Sequence, residues 1–127
     1  MAVGFSLDDK MGEDAVVVCK KDKGKNSDEV KIRMGNNFVD GMDPEKERGT
    51  DVQRKHNEVT EIGKSHEDGT ISCEFTLPFT YKTESGMRID FMRIRYFIFL
   101  AVGNDASEPG GPGPFFLLRS KKPCNFL

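Results

Sequence analysis

Thr70-Ile71-Ser72-Cys73-Glu74-Phe75-Thr76-Leu77 carries an apolar residue at every second position. Successive side chains of a strand point to opposite faces. This period of two therefore puts Ile71, Cys73, Phe75 and Leu77 on one face and Ser72, Glu74 and Thr76 on the other. Asp68-Gly69 is a turn signal just before the stretch. Pro78 just after it cannot donate to a ladder, so the strand is expected to end there. The same period recurs in both directions. Val30, Ile32 and Met34 alternate with Lys31 and Arg33, and Met87, Ile89 and Phe91 alternate with Arg88 and Asp90. Residues 15–19 and 96–102 are continuous apolar runs rich in Val, Ile and Phe. They read as strands buried on both faces. Residues 115–118 add a further short strand, and no segment shows a period of three to four. The fold class expected is all-β, an antiparallel sandwich of about six or seven strands.

The intervening segments are polar. Residues 22–28 read as a hairpin loop, Glu84-Ser85-Gly86 as a turn, and the Gly- and Pro-rich stretch 104–114 as extended coil. Residues 40–68 hold nine acidic and five basic residues against only Met42, Val52, Val59 and Ile62. That segment is expected to be a long solvated loop with at most a short edge strand near residues 58–62. The domain is expected to span residues 1–118, followed by a flexible tail, 119–127.

With 127 residues the chain has one domain's worth of length. Lys plus Arg is 19, Asp plus Glu is 21, and the net charge is -2. That balance excludes a generally basic nucleic-acid binder. The longest apolar run is too short to cross a bilayer as a helix. The first residues show no basic and apolar leader pattern.

Chemistry-bearing residues are few. The cysteines Cys19, Cys73 and Cys124 have no CxxC spacing, so a structural zinc site is not expected. They admit either one disulfide and a free thiol or three reduced thiols. His56 and His66 both fall in the polar segment. Asp8, Asp9, Glu13 and Asp14 crowd four carboxylates together, but without the spacing of a calcium loop. Lys20, Lys21, Lys23 and Lys25 form a small basic patch that Asp22 interrupts. Phe79, Tyr81 and Tyr96 are aromatics that could line a pocket or fill the core. No phosphate-binding loop, nucleophile elbow or zinc-protease motif is present.

Ala2-Val3-Gly4-Phe5-Ser6, then Lys10-Met11-Gly12, then Asp14 and Val16-Val17-Val18-Cys19 resemble the DOMON domain, in the version found in ferric-chelate reductase-like membrane proteins. Gly69-Thr70-Ile71-Ser72-Cys73-Glu74-Phe75 with Pro78, and Tyr96-Phe97-Ile98-Phe99-Leu100-Ala101-Val102-Gly103, are similar to two later strands of that family, in the same order. The resemblance implies a DOMON-like β-sandwich. It also implies that the family's earlier strands lie outside this chain, which would make it a fragment of a longer parent. It implies an extracellular module bearing haem b, which exchanges electrons with a transmembrane cytochrome b domain. Met11 would be an axial thioether ligand and Phe5 apolar packing beneath the porphyrin. Cys19 and Cys73 match the family's cysteines and would form a disulfide in a secreted parent. The family's histidine near the penultimate strand has no counterpart in residues 96–103. The resemblance therefore also admits a second reading, a non-redox module that binds a carbohydrate or another small ligand, or serves in adhesion.

Overall fold

A computed structural model describes residues 1–8, 14–21, 29–39, 48–52, 58–83, 86–102, 116–119 and 121–124. Met11, His56, the loop 22–28 and the stretch 104–114 lie outside these. The described residues form an all-β antiparallel fold. Its strands are β1 (Ala2–Ser6), β2 (Ala15–Lys21), β3 (Val30–Val39), β4 (Arg48–Val52), β5 (Thr60–Glu67), β6 (Thr70–Thr76), β7 (Thr80–Lys82), β8 (Arg88–Asp90), β9 (Phe97–Val102) and β10 (Phe116–Arg119). Six of them make one sheet in the order β10-β9-β1-β2-β3-β4. The pairs β5–β6 and β7–β8 are separate two-stranded ribbons.

Register decides which residues share a face. Val3 pairs with Val17 and Phe5 with Ala15, while Val17 pairs with Met34 and Cys19 with Ile32. Phe5, Ala15, Val17, Ile32 and Met34 thus form one apolar face of the large sheet. It packs on Val59, Tyr81, Ile89, Phe91 and Tyr96 to make the core. Removing each of the Val, Ile, Met and Phe side chains among them from water contributes about 1.5–3 kcal/mol. Phe91 stands at the centre, with its ring centroid 5.0 Å from Phe5, 5.4 Å from Tyr96 and 6.3 Å from Tyr81. On the opposite face Val16, Val18 and Phe99 are also buried. Gly4 lies between them: a methyl there would stand 3.4 Å from Val16 Cγ1 and 3.6 Å from the Phe99 Cβ.

The β5–β6 ribbon is a two-residue hairpin, because Glu67 pairs with Thr70. Asp68 and Gly69 between them have φ of 49° and 77°. That is the left-handed conformation an Asp-Gly turn of type I′ requires. Cys73 on β6 is bonded to Cys19 on β2 with a Cα–Cα separation of 6.4 Å, which fastens the ribbon to the sheet. The β7–β8 ribbon is held at its turn by Thr83. Its N–H donates to the Met87 carbonyl (2.8 Å), and its Oγ1 accepts from Met87 N–H (3.0 Å) and from the Asn36 side-chain amide on β3 (3.4 Å).

Several expectations need correction. The polar segment 40–68 holds two strands, β4 and β5. β5 is polar because it belongs to an exposed ribbon, so its ladder to β6 rather than burial holds it. Residues 96–102 are not buried on both faces: Leu100 and Val102 are exposed. In the tail, Tyr96 and Cys124 form an antiparallel bridge with N–H···O distances of 3.3 and 2.7 Å. Cys124 is therefore bridged to Tyr96, next to the start of β9. Cys124 itself is a free thiol. Among the described residues no helix is long and apolar enough to cross a membrane.

Burial, with smaller repulsion from Tyr96 and Glu58, pushes the Tyr81 hydroxyl well above the ordinary phenol range. The folded chain therefore keeps this proton at pH values where the unfolded chain loses it. Stability should be unaffected below about pH 10 and fall above it, by at most about 1.4 kcal/mol per pH unit. Urea unfolding at pH 9 and pH 11 checks this. Tyr81→Phe should flatten the alkaline fall, and an equally steep fall in that variant would place its cause elsewhere.

Candidate functional site

A cleft of about 290 Å³ opens where the end of β1 meets β8, between the two layers. Its apolar walls come from Phe5 and Leu7 on one side and from Met87, Ile89 and Tyr96 on the other. Ser6, Asp8, Asp14 and Arg88 bring the polar groups.

The local sequence explains the shape. Ser6 ends β1, and its Oγ accepts from the Asp8 N–H at 3.3 Å and donates to Asp8 Oδ1 at 3.4 Å. This side-chain turn bends the chain out of the sheet. Asp14 brings it back into β2 and is buried at the cleft. A buried carboxylate is costly unless polar groups surround it, so its place here favours a polar lining. Arg88 is exposed at the rim, and Leu7 is exposed beside Asp8. The opposite wall is stiff. Tyr96 is buried, and its hydroxyl accepts from the Asp90 N–H at 3.0 Å. Asp90 Oδ1 accepts in turn from Met92 N–H (3.1 Å) and Arg93 N–H (3.2 Å), which caps the turn after β8.

Of the residues singled out from sequence, Phe5 lines the cleft and packs against Phe91. Met11 lies outside the described residues, in the segment 9–13 whose flanks, Asp8 and Asp14, both line the cleft. His66 is half-buried on β5, paired with Ile71, and is not part of the lining. Phe79 is 57% exposed on the surface, and Tyr81 belongs to the core; of the three aromatics only Tyr96 reaches the cleft. Of the acidic cluster, Asp8 and Asp14 meet at the cleft, while Asp9 and Glu13 lie outside the described residues. Among the described residues no group of three or more His, Cys, Asp or Glu is gathered as for a metal ion.

A haem b held by two protein ligands needs an apolar slot and two axial donors. The cleft has apolar walls, but among the described residues its lining contains no imidazole and has two carboxylates. The described lining does not fit such a haem. Met87, Arg88 and Ile89 were not read from the sequence as site residues. Their alternation marks a strand, and only the packing of β8 over the end of β1 makes them a wall.

No known family, characterised protein or solved structure matches this chain.

Proposed function

We propose that this chain is a DOMON-like binding module of an extracellular or membrane-attached parent, and that the cleft at the end of β1 holds a small hydroxyl-rich ligand of carbohydrate type. One observation carries the reading: Ser6, Asp8, Asp14 and Arg88 line one cleft together with the apolar side chains of Phe5, Leu7, Met87 and Ile89. Carboxylates accept from hydroxyls, a guanidinium donates to them, and apolar side chains cover the C–H faces of a sugar ring. The Cys19–Cys73 disulfide supports an oxidising compartment.

A second reading keeps the haem b electron-transfer module next to a transmembrane cytochrome b domain. It rests on the resemblance that makes Met11 an axial ligand and on the place of Met11 in the sequence between Asp8 and Asp14, which both line the cleft. When bound, haem would supply one-electron chemistry, and Phe5 would pack against its face.

One set of titrations separates the two. The chain is titrated with a panel of neutral mono- and disaccharides, followed by amide shifts, and separately with haemin, followed by absorbance before and after dithionite. The first reading expects shifts confined to residues 5–8, 14 and 87–89, and affinity reduced at least about tenfold in Asp14→Asn or Arg88→Ala. A low-spin haem spectrum that disappears in Met11→Ala would transfer the cleft to the second reading. A folded chain that binds neither sugar nor haemin would overturn both.

A further inference from the structure

The two ribbons carry opposite charge. On β5–β6 the exposed charges are Glu61, Glu67, Asp68 and Glu74 against Lys64, which already pairs with Glu61 at 2.9 Å. On β7–β8 and the turn after it they are Lys82, Arg88, Arg93 and Arg95, all four exposed. Among the described residues between 78 and 97 the one acid is Asp90, which is buried and accepts from the Met92 and Arg93 amides. None of the four cations makes an ion pair among the described residues. In a chain of net charge -2 this is segregation of charge, not an excess of cations. Register concentrates it further. Lys82 pairs directly with Arg88, on the face opposite the buried Tyr81 and Ile89. Like charges directly opposite across two strands are destabilising, and a bound anion would offset that cost. The turn begins at Asp90, two residues or about 7 Å further along the ribbon. There the Ile94 N–H donates to the Asp90 carbonyl at 3.0 Å, which keeps Arg93 and Arg95 at this end. Phe79, 57% exposed, accepts from the Phe91 N–H at 2.8 Å, so it lies in register between the two pairs of cations.

We propose that the outer face of β7–β8, with the turn 91–95, binds an anionic polysaccharide, a chain of sugar rings bearing sulfate or carboxylate groups. The guanidinium groups and the ammonium of Lys82 take the acidic groups through charge-assisted hydrogen bonds. Phe79 covers a C–H face of a ring between them. The cations are spread along the ribbon, which favours an extended chain over a bilayer surface. An oxidising compartment, which the Cys19–Cys73 disulfide supports, favours such a polymer over nucleic acid. Arg88 also stands at the cleft rim, but binding on this face does not depend on what the cleft holds.

The test uses the full, oxidised chain and two fluorescein-labelled dextran hexasaccharides, one sulfated and one neutral. The expected result is saturable anisotropy with the sulfated sugar only, weakening as salt is raised. Its amide shifts should fall on residues 79–82 and 92–95. Lys82→Gln combined with Arg93→Gln and Arg95→Gln should weaken binding at least about tenfold, with circular dichroism unchanged. If that variant fails to fold, Arg93→Gln alone serves, since its side chain is exposed. Lys82→Glu turns the like-charge pair into an opposite one. It should raise the Tm of the free chain by about 2–5 °C and weaken binding. No binding of the sulfated sugar, equal binding of the neutral one, or indifference to these substitutions would each overturn the proposal. So would shifts centred on residues 5–8 and 14, which would place the sugar in the cleft. Binding to vesicles of phosphatidylcholine and phosphatidylserine without binding to the sulfated sugar would overturn it too, and make the occupant a lipid surface.

Discussion

Cys19→Ala combined with Cys73→Ala is expected to cost about 4 kcal/mol of stability. The bond spans 54 residues, and the chain-entropy relation for a loop of that length gives about 4 kcal/mol at room temperature. For a chain of this size that corresponds to a fall in Tm of about 15 °C. The entropic share is not the whole effect. The ribbon β5–β6 buries little of its own surface: in β6 only alternate residues are even half-buried. Two-stranded ribbons are marginal alone, so release of Cys73 should let this one fray first. Urea unfolding of the double variant, beside wild type with and without reductant, checks this. The variant should also show a larger m-value, because its denatured state is no longer cross-linked. A loss below about 1 kcal/mol would mean that packing of Phe75 and Leu77 alone holds the ribbon.

Phe91→Ala should cost about 3–5 kcal/mol, the range for removing a buried ring. Phe91 is 6% exposed and meets three other rings. It is also the residue that joins the layers, since Phe5 belongs to β1 while Tyr81 belongs to β7. Phe91→Leu keeps most of the volume and should lose clearly less than the alanine variant. Equal losses in the two would show that ring geometry, rather than filled volume, holds the layers together. The alanine variant should also loosen the cleft wall, because Ile89 and Asp90 immediately precede Phe91. Faster exchange at the Asp90 amide, which donates to the buried Tyr96 hydroxyl, would report it.

The strands legible in the sequence were those that bury one face. Ile32 and Met34, or Ile71, Cys73 and Phe75, announce themselves because burial and the pleat share a period of two. Residues 15–19 announced burial on both faces, and all five are buried. β5 was illegible for a physical reason. Thr60 to Glu67 are held by the Asp68-Gly69 turn and by main-chain bonds to β6, neither of which leaves an apolar pattern. β9 misled in the opposite sense. Its apolar run suggested two covered faces, but near Leu100 and Val102 one face is open. The Tyr96–Cys124 bridge was equally hidden, since main-chain pairing of a tail does not depend on its side chains. The cleft was half legible. The acidic residues around Met11 drew attention by their crowding and Phe5 only through the family resemblance, whereas Met87, Arg88 and Ile89 became its wall only through tertiary packing.

β1 sits between β2 and β9 in the sheet. One of its ladders closes with the strand that begins at Ala15, the other only with the strand that begins at Phe97. During synthesis at about 5–20 residues per second, roughly 4–16 s separate the emergence of these two partners. For that interval Val3 and Phe5 have a pairing edge on one side and none on the other, beside the apolar β2. Sheets closed by such distant pairings also fold slowly, over milliseconds to seconds. The growing chain therefore passes through a stage in which β1 has its β2 partner but not its β9 partner. Expression at lower temperature, or with chaperones that shield extended apolar segments, should raise the yield of soluble protein.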